Sequence, residues 1–193
     1  MPTPKILVLS GSTRAGSHNV RLAALAVKEL TLLDTDVTRI SLADYELPIY
    51  EAELEANVGA PANAYKLKQM IMAHHGVFIA CPEYSASVPP LLKNAIDWVA
   101  RARERGDPTC AAFKGRVFAI SSASPGRAGG LRALMALRQI LELGCGALMI
   151  PEQVAIPQAD HAFDDIDNII DTGTANLLRA QLARLVEMAR LMT

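Results

Sequence analysis

Residues Lys5–Asn19 read KILVLSGSTRAGSHN, and residues 20–33 then return an apolar side chain every three or four positions. The run Lys5–Ser10 is apolar without alternation, as a strand covered on both faces is. SGSTRAGSHN holds two glycines, small hydroxyls, one Arg and one Asn, and it separates that strand from a helix over residues 17–33. The same strand–loop–helix unit recurs along the chain. Further strands are expected at 36–41, 76–81, 116–122 and 146–150. Further helices are expected at 62–74, 89–105, 129–143 and 171–191. Residues 45–61, rich in Pro, Glu and Gly, read as a loop with little regular structure. Pro151 reads as the end of the fifth strand, and residues 153–162 read as an irregular arm.

This alternation predicts an α/β fold with one parallel sheet and helices on both faces. Five strands and right-handed crossovers favour a flavodoxin-like three-layer sandwich, strand order 2-1-3-4-5, over a six-strand dinucleotide fold. At 193 residues the chain holds one full core, so residues 1–193 are expected to form a single domain. A net charge of -1 gives no footprint for nucleic acid or for an anionic membrane. No apolar run reaches the ~20 residues of a membrane span, and MPTPKILVLSG lacks the pattern of a signal peptide. The three cysteines show no metal-ligand spacing and read as reduced, buried thiols, so a cytoplasmic location is expected.

Ligands of such sheets lie beyond the carboxyl ends of the strands, which singles out the loops after strands 1, 3 and 4. In the first, Ser10, Ser12, Thr13, Ser17, Arg14 and Asn19 sit at a helix N-terminus, the chemistry of a phosphate cradle. The alternative is an ordinary turn in which serine only caps the helix. The Walker lysine and the GxGxxG fingerprint are both absent, and strand 2 does not end in an acidic residue, so a mononucleotide fits better than a dinucleotide. The second loop, CPEYSASVPPLLKNAIDW, is stiffened by Pro82, Pro89 and Pro90 and carries Tyr84 to the strand's end. Leu91, Leu92, Ala95, Ile96, Trp98 and Val99 cover more than one helical face, as at a subunit interface or in a helix wedged under a loop. Lys93, Asn94 and Asp97 are expected on the surface. The third loop, SPGRAGG, allows close backbone approach, with Arg127 or Arg132 available to a phosphate-bearing substrate.

GSTRAGSHN, PEYSASVPPLLKNAIDW and SPGRAGGLRALMALRQIL together resemble the NADPH-dependent FMN reductase family, which includes quinone, azo-dye and chromate reductases. The resemblance implies that Ser12, Arg14, Ser17, His18 and Asn19 lie at the FMN phosphate. It places Pro82, Glu83, Tyr84 and Ser85 along the ring system, and Ser124 and Gly126 at its other edge. It also implies NADPH as co-substrate, a small-molecule electron acceptor, and a homodimer or homotetramer with the helix after PEY in the interface. Two positions depart from the family pattern: Ser85 replaces the usual Asn, and Pro90 the usual Gly.

The mechanism expected is ping-pong hydride transfer from NADPH to FMN and on to a quinone, flavin or similar acceptor. No acid–base side chain is nominated, and Tyr84 is the residue expected to meet both flavin and substrate. The competing readings are a flavodoxin-type electron carrier and a flavin-free module that binds another phosphate ester. No metal site is expected: His74 and His75 end a helix, and residues 164–167 (DDID) read as a solvated helix start.

Overall fold

A computed structural model describes residues 2–193. Its five strands are β1 (Lys5–Ser10), β2 (Asp36–Ile40), β3 (Gly76–Ala80), β4 (Val117–Ala123) and β5 (Leu148–Ile156). They form one parallel sheet in the order β2-β1-β3-β4-β5. The helices are α1 (His18–Thr31), α2 (Ala52–Val58), α3 (Ala62–Met72), α4 (Pro90–Arg101), α5 (Leu131–Gln139) and α6 (Thr172–Arg190).

Strand periodicity divides the core in two. Leu7, Leu9, Val77, Ile79, Phe118 and Ile120 face the layer of α3, α4 and α5. Ile6, Val8, Phe78, Ala80, Val117 and Ala119 face α1 and α6. Successive side chains of a strand point to opposite faces, so apolar residues at every position feed both layers. Edge strand β2 is only half-buried, as its alternation implied.

Three expectations change. Residues 45–61 are not a bare loop: they contain α2, whose N-cap Glu51 accepts from the N–H groups of Glu53 and Leu54 at 2.8 and 2.7 Å. This segment lies over α4. Trp98 Nε1 and Asn94 Nδ2 both donate to the Pro48 carbonyl, and Tyr50 meets Trp98 edge-on at 5.1 Å. The second apolar face of α4 is therefore covered by its own chain, and Leu92, Ala95, Ile96, Trp98 and Val99 are all buried. Asn94 is occupied there as well, while Lys93 and Asp97 pair on the surface as expected.

Pro151 does not end β5. The strand runs on through the expected arm to Ile156, with a register shift between Phe118 and Ile120 on β4. β5 is an edge strand, so a missing Pro N–H is tolerated beside a bulge. Buried Gln181 of α6 completes the irregularity: its amide donates to the carbonyls of Ile120 and Glu152 at 2.8 and 3.1 Å. Ser121 Oγ donates to its oxygen at 2.6 Å.

The third change concerns residues 164–167, which form a turn ahead of α6 and not the helix start itself. Asp164 accepts from the N–H groups of Ile166 and Asn168. Asp167 pairs with Arg21 of α1 at 2.6 Å. α6 begins after Asp171, whose carboxylate caps Thr174 N–H at 2.7 Å.

Candidate functional site

β1, β3 and β4 are neighbours, so their carboxyl ends deliver three loops to one edge. The ladder continues past the strands: Gly11 N–H donates to Ala80 O and Cys81 N–H to Ser121 O, both at 2.8 Å. Residues 11–17, 81–89 and 124–130 leave the sheet side by side.

The first loop keeps its hydroxyl donors free. Ser10 Oγ accepts from Ser12 N–H at 3.2 Å and Ser12 Oγ from Arg14 N–H at 3.3 Å. Each hydroxyl thus spends a lone pair on shaping the loop and retains its O–H for a ligand. Ser17 occupies the N-cap position of α1 but its side chain caps nothing. The N–H groups of His18 and Asn19 have no acceptor among the described residues. Serine as a mere helix cap therefore does not account for the loop. Orphan amides and the helix dipole make this end of α1 attractive to an anion, and Ser12, Thr13, Arg14 and Gly16 line an open cleft beside it. This donor set fits a phosphate monoester.

Two residues of that stretch have other employment. The Asn19 side chain is buried and clamps the end of β4, donating to Ala123 O at 2.8 Å and accepting from Ala123 N–H at 3.0 Å. The expectation of Asn19 as a direct phosphate donor is corrected to this extent: its carboxamide fixes α1 against the end of β4, and only its backbone N–H is left without an acceptor. His18 reaches Asp160, beyond β5, at 3.0 Å.

In the second loop, Tyr84 and Ser87 exchange both backbone hydrogen bonds, at 3.0 and 2.9 Å. Ser85 and Ala86 between them have φ of 49° and 62°. This is a two-residue type I′ turn, which favours Asn and Gly at its centre. Ser85 thus lies where Asn is conformationally preferred, so its departure from the family pattern is first a matter of backbone strain. Tyr84 is half-exposed beside the turn, and Pro82 is buried. Pro90 is the first residue of α4, where a missing N–H costs no helical bond.

Glu83, expected along the ring system, directs its carboxylate to the start of α5. Its side chain is only 6% exposed and accepts from the Arg132 guanidinium. It also accepts from the N–H groups of Arg132 and Ala133 at 3.1 and 3.3 Å. Burial pushes the Glu83 carboxyl up, but these bonds and the Arg132 charge outweigh burial and hold its pKa below the usual carboxylate value. Arg132, considered above for a phosphate-bearing substrate, is committed to Glu83.

The third loop is laced to the end of β5: Ser124 N–H donates to Ile156 O and Ala159 N–H to Ser124 O, both at 3.1 Å. In this loop Ser124 is half-buried and Gly126 exposed. Gly130, one of the third-loop glycines expected to allow close backbone approach, is the N-cap residue of α5 at φ 89°. A Cβ there would fall 1.9 Å from Ser122 Oγ. Its neighbour Gly129, at φ 61°, is closely packed as well: a Cβ there would fall 2.8 Å from the backbone of Ala155, Ile156 and Pro157. Burial raises the Cys81 thiol to about 12, which leaves it protonated at neutral pH beside the site. No cluster of three or more His, Cys, Asp or Glu residues suited to a metal occurs among the described residues.

Comparison with known proteins agrees with this geometry. The family model described as NADPH-dependent FMN reductase matches residues 4–161. An NAD(P)H-dependent FMN reductase of Pseudomonas aeruginosa is 37% identical over 183 residues, covering 94% of this chain and 92% of that protein. A quinone reductase of Escherichia coli is 32% identical over 185 residues, covering 95% and 94%. Among solved structures, a flavoenzyme NAD(P)H:(acceptor) oxidoreductase from Paracoccus denitrificans superposes with a TM-score of 0.76 at 29% identity, covering 98% of each chain.

Proposed function

The chain belongs to the NADPH-dependent FMN reductase family, and from that premise we propose that it is an NADPH-dependent quinone or flavin reductase with a ping-pong cycle. When bound, FMN supplies hydride acceptance from NADPH and delivery to a small acceptor such as a quinone. The observation that carries the reading is the α1 N-terminus, with an uncapping Ser17 and two acceptor-less amides beside a cleft lined by Ser12, Thr13 and Arg14.

The chain's own residues bind and orient. Ser12, Arg14 and Ser17 hold the phosphate with the backbone N–H groups of His18 and Asn19. Pro82, Tyr84 and Ser85 line the ring system, and Ser124 and Gly126 close its other edge. Backbone N–H groups of the second and third loops stabilise negative charge at the ring's polar edge, as donors of an oxyanion hole do. Glu83 and Asn19 are positioning residues that hold the three loops in register. No side chain moves a proton in this scheme, and Tyr84 meets both cofactor and substrate.

Residues 1–193 act as one FMN-binding domain, a reading supported by two continuous cores on the faces of one sheet. Assembly as a homodimer or homotetramer finds support in the exposed Leu131 and Met135 on α5 and in Leu143 just beyond it. No helix is long and apolar enough to cross a membrane among the described residues, and the cytoplasm is the proposed compartment. The test is steady-state NADPH oxidation by FMN-loaded protein with a benzoquinone. Turnover well above that of the same concentration of free FMN supports the proposal, and turnover equal to free FMN refutes it.

A further inference from the structure

Away from the anion site, on the opposite side of α4, a groove is lined by Lys93, Ile96 and Asp97 of α4 and by two cysteines, Cys110 and Cys145. The cysteines come from different parts of the chain. Cys110 lies in the connection between α4 and β4, and Cys145 directly follows a π-helical turn, Ile140–Gly144, that ends α5. Cys110 Sγ lies 3.9 Å from the carbonyl oxygen of Gly144, the residue bonded to Cys145. Both thiols are free, and their residues are 8% and 5% exposed.

Two backbone irregularities create the pairing. Cys110 has φ 57°, a left-handed conformation that a non-glycine residue adopts only where its surroundings impose it. The π turn shifts the chain after α5 so that Cys145 N–H bonds back to Ile140 O at 3.0 Å. Together they place both cysteines in the lining of one groove, with Cys110 Sγ against the residue that precedes Cys145.

We propose that Cys110 and Cys145 form a redox-active dithiol that closes to an intramolecular disulfide when a hydroperoxide enters the groove. A thiolate of the pair attacks a hydrogen peroxide oxygen, the O–O bond breaks, hydroxide leaves, and a sulfenic acid forms. The second thiolate then attacks that sulfur, the S–O bond breaks as the S–S bond forms, and the departing hydroxide is protonated to water. Two thiols and one hydrogen peroxide become one disulfide and two waters. The step is independent of the flavin reading.

The surroundings set its speed. Burial, then the Cys110 thiol and the Asp97 carboxylate, push the Cys145 thiol up to about 12, with the Lys93 ammonium opposing them. The thiolate is the reacting form, so closure is slow at neutral pH and accelerates as pH rises. Cys81 provides a control inside the same chain: fully buried and distant in sequence from the pair, its thiol contacts the Pro82 carbonyl at 3.4 Å.

The experiment treats the folded full-length protein with hydrogen peroxide at a series of pH values, quenches with an alkylating reagent, and reads intact mass and linked peptides. The expected result is the loss of two hydrogen masses and one peptide pair joining Cys110 to Cys145. Cys81 should be recovered as a thiol, the rate should climb with pH, and closure should be absent in Cys145→Ser. Native protein that keeps all three thiols would overturn the proposal. So would sulfinic acid at either cysteine without a linked pair, or linkage through Cys81 or between chains. Because the wild-type chain alone gives these readings, a variant that fails to fold leaves the test intact.

Discussion

The carboxylate of Glu83, at the end of β3, caps the first turn of α5 through the N–H groups of Arg132 and Ala133. One side chain thereby fixes the second and third loops of the site to each other, and the Arg132 guanidinium closes the clasp.

Replacing this carboxylate should cost stability. Glu83→Gln keeps the shape but loses the charge-assisted bonds, and a loss of about 1–2 kcal/mol is expected, the lower half of the usual range because Arg132 is largely exposed. Its pKa is depressed in the folded state, so the contribution is complete above the unfolded value of about 4.3 and is lost as pH falls through the folded value. Urea denaturation between neutral and acid pH should show a shallower acid decline in the variant than in the wild type. Parallel profiles would remove Glu83 from this role.

Ser17 and Asn19 are two residues apart and should behave oppositely. Ser17 caps nothing, so Ser17→Ala should leave the melting curve nearly unchanged while weakening FMN binding by about tenfold or more, the cost of one hydrogen bond to a charged group. Asn19→Ala leaves the Ala123 carbonyl and N–H unpaired in the interior and should destabilise by about 2–4 kcal/mol. Calorimetry beside FMN titration separates the two effects. Equal loss of stability in both variants would return Ser17 to the role of a cap.

The type I′ turn at Ser85-Ala86 is built from residues that do not favour it. Ala86→Gly and Ser85→Asn should each stabilise the protein by about 0.5–1 kcal/mol by relieving left-handed backbone strain. The denaturation midpoint should rise with an unchanged slope. A fall in the midpoint for both variants would mean that the turn geometry is not what limits stability there.

Gly130 admits no side chain. Gly130→Ala sets a methyl group against Ser122 Oγ in a left-handed conformation, and a loss of about 2–5 kcal/mol is expected together with weakened FMN binding. The thermal midpoint and FMN affinity should fall together; an unchanged affinity would detach the third loop from the site.

Much of this protein was legible in its sequence because short-range pattern decides it. Unbroken apolar runs at Lys5–Ser10 and Gly76–Ala80 announced strands buried on both faces, and five β–α units left few possible strand orders. What escaped depends on distant partners. Pro151 looked like a strand end, although Val154 and Ile156 carry the alternation onward; only an edge position with a bulge, supported by Gln181 from α6, lets the strand continue. α2 lacks a buried face of its own and is anchored through Tyr50 on Trp98, a contact invisible to periodicity. In the site, residue types pointed to a cradle, but they did not reveal that Asn19 looks to Ala123 or that Glu83 looks to Arg132. A carboxamide or carboxylate in a loop has the same appearance whether it serves a ligand or a neighbouring helix.

The proposed phosphate cradle would hold FMN for reduction by NADPH. The most direct measurement is a visible-absorbance titration of the purified protein with FMN, followed by anaerobic addition of NADPH. The account predicts saturable perturbation of the flavin bands and their rapid bleaching, much faster than that of free FMN under the same conditions. A flavin spectrum that stays that of free FMN at saturating protein, or bands that bleach no faster than free FMN, would contradict it.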